Sequence, residues 1–273
     1  MKMLPAGAAV LMALSLAPVS ASAAEFFVQV PGIPGEQSTP GFPGAMAVQS
    51  LEIAPDKFVI VKSLDSASPA IMLAVANGTV FPSASALLYN SAPSGPPDAA
   101  LTFQNVIASA HQPQGATLEQ DSFAATAPGS MFLELPGITG ESSTPGHPGV
   151  MQIDSFSLTA NQFSITKAVD SASPAIALAI AKGTLFPGAN VLFYDAASPA
   201  GPPDGIFSFG NIMASEHQLL NGGAVPEELD TFNFASVEPV TSGVPEQGST
   251  LLLLTFSLLG IGTCRLPLLR KQA

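Results

Sequence analysis

The sequence predicts a mainly β protein: two tandem small antiparallel β-barrels, each with one short buried α-helix, set between an export signal and a C-terminal transmembrane helix. Three observations carry this. The window Lys62 to Gly78, KSLDSASPAIMLAVANG, returns as Lys167 to Gly183, KAVDSASPAIALAIAKG, aligned without a gap at a spacing of 105 residues and identical at 12 of 17 positions. Around each window stand short apolar runs divided by Pro/Gly turns, the pattern of all-β folds with many short strands. Inside the window lie the start and stop signals of a single helix.

Taken in order, Met1-Lys2-Met3, the apolar run to Val19 and the small residues Ser20 to Ala24 have the three regions of a secretory signal peptide over 1–24. The first domain is expected over 25–124. It opens with the strand FFVQV from Phe26, followed by the Pro-Gly loop from Pro31. A linker over 125–130 leads to a second domain over 131–238, which opens with MFLEL from Met131 and a matching loop from Pro136. Glycine does not recur at every third place in these loops, so a collagen reading fails.

Each window then predicts a helix. Ser68 and Ser173 suit the N-cap, Pro69 and Pro174 the first helical position, and Gly78 and Gly183 the left-handed turn that ends a helix. The body is apolar on every side, which predicts burial all round. Past the helix, strands at Leu87 to Tyr89 and Leu101 to Ile107 match Val191 to Tyr194 and Ile206 to Met213. There the spacing becomes 106, an insertion placed at a turn, where a fold tolerates one. Each copy closes with a strand, near Leu118 to Phe123 and Leu229 to Phe234.

A linker with the acidic segment Val244-Pro245-Glu246 spans 239–249, and 250–273 is an apolar run with a basic end at Arg265, Arg270 and Lys271. Leu266 to Leu269 can lengthen the apolar part while Arg265 snorkels, giving a membrane helix with a cytoplasmic C-terminus.

Charge narrows the function. From Glu25 to Val244 the cations are Lys57, Lys62, Lys167 and Lys182 against 19 acidic residues. Such a chain repels phosphate backbones, so nucleic acid is not an expected partner. The one cysteine, Cys264, lies in the tail, so the exported part relies on its cores and not on disulfides. No nucleophile elbow, H-E-x-x-H, P-loop or Cys/His cluster at metal spacing is present, and no residue is assigned to catalysis, a cofactor or a metal. Lys62 with Asp65, and Lys167 with Asp170, read as a clasp at the start of the helix, where dipole and ammonium both favour a carboxylate. His111 and His217 correspond but read as lone edge residues. His147 has Phe42 as its counterpart, so the duplicated design does not need it, and Tyr89 and Tyr194 are matched packing residues.

The order strand, Gly-rich loop, strand, then Phe58, Ile60, Lys62, Asp65, Ser68, Pro69 and Gly78, repeated at Phe163, Ile165, Lys167, Asp170, Ser173, Pro174 and Gly183, resembles the haemolysin-coregulated protein (Hcp) family of type VI secretion tube proteins. The resemblance implies a β-barrel with a helix, six-membered rings stacked into a tube, and no catalysis. Tube subunits are single domains without a Sec-type signal or a membrane tail, a departure that separates the fold from the secretion role. With two domains per chain, a trimer would close a six-domain ring. Val244-Pro245-Glu246, the apolar helix and Arg265 resemble the PEP-CTERM sorting signal of Gram-negative bacteria, with Gln247 where that signature has proline. That resemblance implies an exosortase as processing partner and passage to the cell surface or extracellular matrix; a permanent inner-membrane anchor facing the periplasm is the alternative. The expected function is a non-enzymatic structural or interaction protein. A carrier of a protein or polysaccharide guest in a ring lumen, and a type VI tube-like component, are the alternatives.

Overall fold

The short apolar runs divided by Pro/Gly turns become paired strands in the computed structural model, which describes residues 24–36, 43–90, 96–126, 129–144, 146–194, 201–220 and 225–239. Of the export signal expected over 1–24, residues 1–23 lie outside the described residues, as do Val244, Pro245, Glu246, Arg265 and the apolar run over 250–273. Among the described residues no helix is long and apolar enough to cross a membrane.

The first copy runs β1 (Glu25–Gln29), β2 (Met46–Val48), β3 (Ser50–Ala54), β4 (Lys57–Ser63), α1 (Ser68–Asn77), β5 (Val80–Tyr89), β6 (Ala99–Gln114) and β7 (Leu118–Thr126). The second repeats that order as β8 (Ser130–Glu134), β9 (Met151–Ile153), β10 (Ser155–Thr159), β11 (Gln162–Ala168), α2 (Ser173–Lys182), β12 (Leu185–Tyr194), β13 (Gly205–Leu220) and β14 (Glu227–Asn233), then adds β15 (Ser236–Glu238). The protein is thus mainly β, with two helices among the described residues.

The expected closed barrels are not what the ladders form. One antiparallel path runs β2-β1-β5-β6-β7-β4-β3-β10-β11-β14-β13-β12-β8-β9 and stays open at both ends. A bend explains the opening. Only Gln49 separates β2 from β3, and the bent segment gives β2 to β1 but β3 to β4. Asp154 separates β9 from β10 in the same way.

The free edge of β3 pairs with β10, in the register Leu51↔Leu158, Glu52↔Ser157 and Ile53↔Phe156. At the repeat spacing, Glu52 and Ser157 are equivalent residues. Equivalent strands paired antiparallel about equivalent residues are related by a local two-fold axis. Consistent with that axis, β6 also contacts β13, its own counterpart.

Both copies lie in one compact unit, and one cluster of buried side chains runs through them. At its centre Phe58 stacks between Phe103 and Phe123, with ring centroids 4.3 and 4.8 Å away. Phe163 repeats this between Phe209 and Phe232, at 4.8 and 4.9 Å. Such stacked pairs add about 0.5–1.5 kcal/mol to plain area burial.

Each helix departs from expectation in two ways. Only one face of α1 is buried, through Ser68, Ile71 and Ala74, while Met72 and Leu73 are 54% and 62% exposed. A short helix laid across the long strand β6 has only one side to bury. Its N-cap is Ala67, with no side-chain cap bond, and Ser68 is the first helical residue. The Asp65 carboxylate supplies the missing acceptor, taking the Ala67 N–H at 2.9 Å. Proline at the start and Gly78 in the left-handed region at the end are as the window predicts. α2 repeats all of this, with Gly183 at φ +60°.

The Pro-Gly loops are pinned where backbone meets backbone. Gly35 donates its N–H to Gly44 O at 2.8 Å, and a Cβ on Gly35 would stand 2.3 Å from Ala45 O. Gly140 repeats the contact against Val150 O.

Candidate functional site

Strand register builds the site from both ends of the repeated window. Lys62 on β4 lies directly opposite Glu119 on β7, both fully buried. Two residues on, Asp121 shares Glu119's face of the strand and lies opposite His111 on β6. β6 reaches that far because Asn105, at φ +50°, sits where the ladder to β7 shifts register. Asparagine tolerates the left-handed region that such a bulge requires.

The Lys62 ammonium stands 2.6 Å from Asp65 Oδ1 and 2.5 Å from Glu119 Oε1. Ser68 Oγ donates to Glu119 Oε1 at 2.8 Å and accepts the Asp65 N–H at 3.0 Å. Beyond this knot, His111 Nδ1 lies 2.7 Å from Asp121 Oδ1 and 3.8 Å from Glu119 Oε2. The second copy reproduces the arrangement. Lys167 is 2.6 Å from both Asp170 and Glu228, Ser173 is 2.8 Å from Glu228, and His217 is 2.7 Å from Asp230.

The predicted motif residues therefore meet in part. Lys62, Asp65 and Ser68, like Lys167, Asp170 and Ser173, form one knot at the start of each helix, while Pro69 with Gly78 and Pro174 with Gly183 set the helix ends. The lone-histidine reading of His111 and His217 is overturned, since each has two buried carboxylates beside it. Sequence reasoning missed Glu119, Asp121, Glu228 and Asp230. The signal was Glu-x-Asp in both closing strands, two acids at strand spacing on a face whose neighbours are apolar. His147 stacks between Phe132 and Tyr194, at 4.9 and 4.3 Å, as an aromatic packing element. Tyr89 and Tyr194 pack edge-on against Phe27 and Phe132.

Burial pushes the Asp121 carboxyl up to about 6, with Glu119 adding to the rise while the His111 hydrogen bond and Lys62 oppose it. Asp230 is raised to about 6 for the same reasons. The folded value exceeds the ordinary 3.8. The protonated acid is therefore the form the fold prefers. Its contribution is full below the ordinary value and is lost as pH rises through about 6. Asp121→Asn with Asp230→Asn removes that titration. With chelator present, the melting temperature of this variant minus that of the parent is expected to climb as pH rises from 4 to 6. A difference that stays flat across that window contradicts the assignment.

Residues 132–238 match the family model described as "Type VI secretion system effector, Hcp". That match covers the second copy and less than half of the chain. The match takes in Lys167, Asp170, Ser173, Pro174 and Gly183. The chain is also similar to a solved type VI secretion system effector from Yersinia pestis, at 19% identity over 38% of this chain and 83% of that one, TM-score 0.34. Hcp1 from Salmonella typhimurium is 20% identical over 38% of this chain and 81% of its own, TM-score 0.35. Secreted protein Hcp3 from Pseudomonas aeruginosa is 16% identical over 37% and 86%, TM-score 0.31. No curated protein matches the chain.

Proposed function

We propose that this is an exported, non-enzymatic interaction protein built of two Hcp-like domains and working by self-association. One observation carries the reading. The segment that matches the Hcp family model has its Lys–Asp–Ser–Glu knot reproduced in the first copy, with corresponding distances agreeing to about 0.1 Å. The buried knot fixes a helix to a sheet, which is a structural task. Ser68 and Ser173, its hydroxyls, already spend their protons on Glu119 and Glu228.

The three-chain, six-domain ring suggested by duplication needs every domain to follow the last by the same head-to-tail step. A local two-fold between the copies is a different step, so self-association in our reading uses other surface. Apolar side chains exposed at matched places favour this: Leu64 with Val169, Leu73 with Leu178, Val80 with Leu185, and Ile107 with Met213. Isolated exposed apolar residues need no explanation, but the same four kept in both copies do. Light scattering on the full-length chain in detergent, corrected for bound detergent, is expected to give an oligomer. Leu73→Glu with Leu178→Glu should reduce it to a monomer. A parent chain that is already monomeric removes the reading.

Export by residues 1–24 and an exosortase-type sorting signal at Val244-Pro245-Glu246 and Arg265 complete the proposal. Intact mass of protein recovered from an exosortase-bearing Gram-negative host should show loss of the segment beginning near Ser249, and Glu246→Ala should retain it. Retention in the parent chain points instead to a permanent inner-membrane anchor.

A further inference from the structure

We propose that each copy binds one first-row divalent cation of the Zn2+ class, held by His111, Glu119 and Asp121 in the first and by His217, Glu228 and Asp230 in the second.

One ligand atom from each residue lies within 4.8 Å of the others in both clusters. Ligand atoms at about 2.0–2.2 Å from a single Zn2+ stand some 3 to 4 Å apart, so modest side-chain shifts suffice. The second observation is the state of the carboxylates. Glu119 Oε2 and Asp121 Oδ2 are buried without a hydrogen-bond partner, as are Glu228 Oε2 and Asp230 Oδ2. Glu119 Oε2 is the oxygen that faces His111, and Glu228 Oε2 faces His217. Leaving buried carboxylate oxygens unpaired is costly, and a cation seated among them removes that cost.

Charge gives the same answer. Lys62 is the one cation set against Asp65, Glu119 and Asp121 in the cluster, a shortfall of two that matches a divalent ion. Lys62 also holds the other oxygen of Glu119, and so orients the ligating one, as outer-sphere partners of metal ligands do. Imidazole with two carboxylates suits Zn2+ and its neighbours, whereas Ca2+ and Mg2+ seek six or more oxygens. The His111 and His217 side chains are 10% and 22% exposed, which gives the ion a way in and leaves a coordination position facing solvent.

Duplication makes the geometry hard to ascribe to chance. His111 and Glu119 are eight positions apart in the sequence, and His217 and Glu228 eleven. The histidine-to-carboxylate distances are nevertheless 2.7 and 3.8 Å in one copy and 2.7 and 3.9 Å in the other. The hairpin turn changed length while the cluster stayed.

The test is calorimetric titration with Zn2+ of the full-length chain in detergent, first stripped by chelator, at pH 7.5. Two ions per chain are expected. His111→Gln should leave one, and His111→Gln with His217→Gln none, with circular dichroism in chelator checking that each variant is folded. Because a variant can fail to fold, Co2+ is also added to the unmodified chain. Ligand-field bands of four-coordinate intensity support the proposal. Spectra of six-coordinate Co2+, absence of binding at millimolar Zn2+, or a stoichiometry that the histidine variants leave at two overturns it.

Discussion

Lys167→Met is expected to cost about 3–5 kcal/mol of folding stability at pH 7, the range found when one partner of a buried ion pair is removed. The ammonium is almost fully buried and stands 2.6 Å from both Asp170 and Glu228. Without it, the Glu228 side chain is left in the sheet interior with only the Ser173 hydroxyl on one of its oxygens. Asp170 also loses its counter-charge while still accepting the Ala172 N–H, so the start of α2 loosens too. Chemical denaturation measures the loss. The informative control is Lys167→Met with Glu228→Gln, which removes both charges and should restore more than half of the stability. A loss under about 1 kcal/mol, the size of an exposed pair, would mean that water reaches the knot.

Phe163→Ala should be comparably severe, by about 3–5 kcal/mol, for an unrelated reason. Its ring is fully buried and contacts Phe209, Phe232, Phe156 and Phe234, at centroid distances of 4.8, 4.9, 5.9 and 6.4 Å. Those rings come from β13, β14, β10 and the residue after β14, so no single element can shift to fill the hole. The cost is transfer plus cavity, and it should be nearly independent of pH. Phe163→Leu should recover much of it. Equal losses for alanine and leucine would indicate that ring stacking, and not volume, carries the site.

Local features were legible in the sequence and long-range ones were not. Pro69 and Gly78, and Pro174 and Gly183, mark helix ends through backbone chemistry that each residue carries by itself, and both helices end where those residues stand. The opening strands at Phe26 and Met131 were plain from composition. The bend at Gln49 is marked only by a slip in phase, from Met46 and Val48 to Leu51 and Ile53, and it takes the partners of β2 and β3 to show what that slip does. The length of β6 was hidden. Ala108 to Gln114 is too polar to suggest a strand, yet that stretch pairs with β7 and carries His111 to Asp121. Half of the candidate site followed from the repeated window, since Lys62, Asp65 and Ser68 lie within seven residues. The other half, Glu119 and Asp121, depends on pairing across more than fifty residues, which neither composition nor period encodes.

The seam between β3 and β10 has a historical consequence. Two strands of common descent that meet about Glu52 and Ser157 are what remains when a symmetric dimer of a single-copy ancestor is joined end to end. On that account association preceded gene doubling, and the fused chain preserves the old contact inside itself. Separating the halves would bare that edge again, and each half would seek a second copy of itself along Leu51 to Ile53 or Phe156 to Leu158.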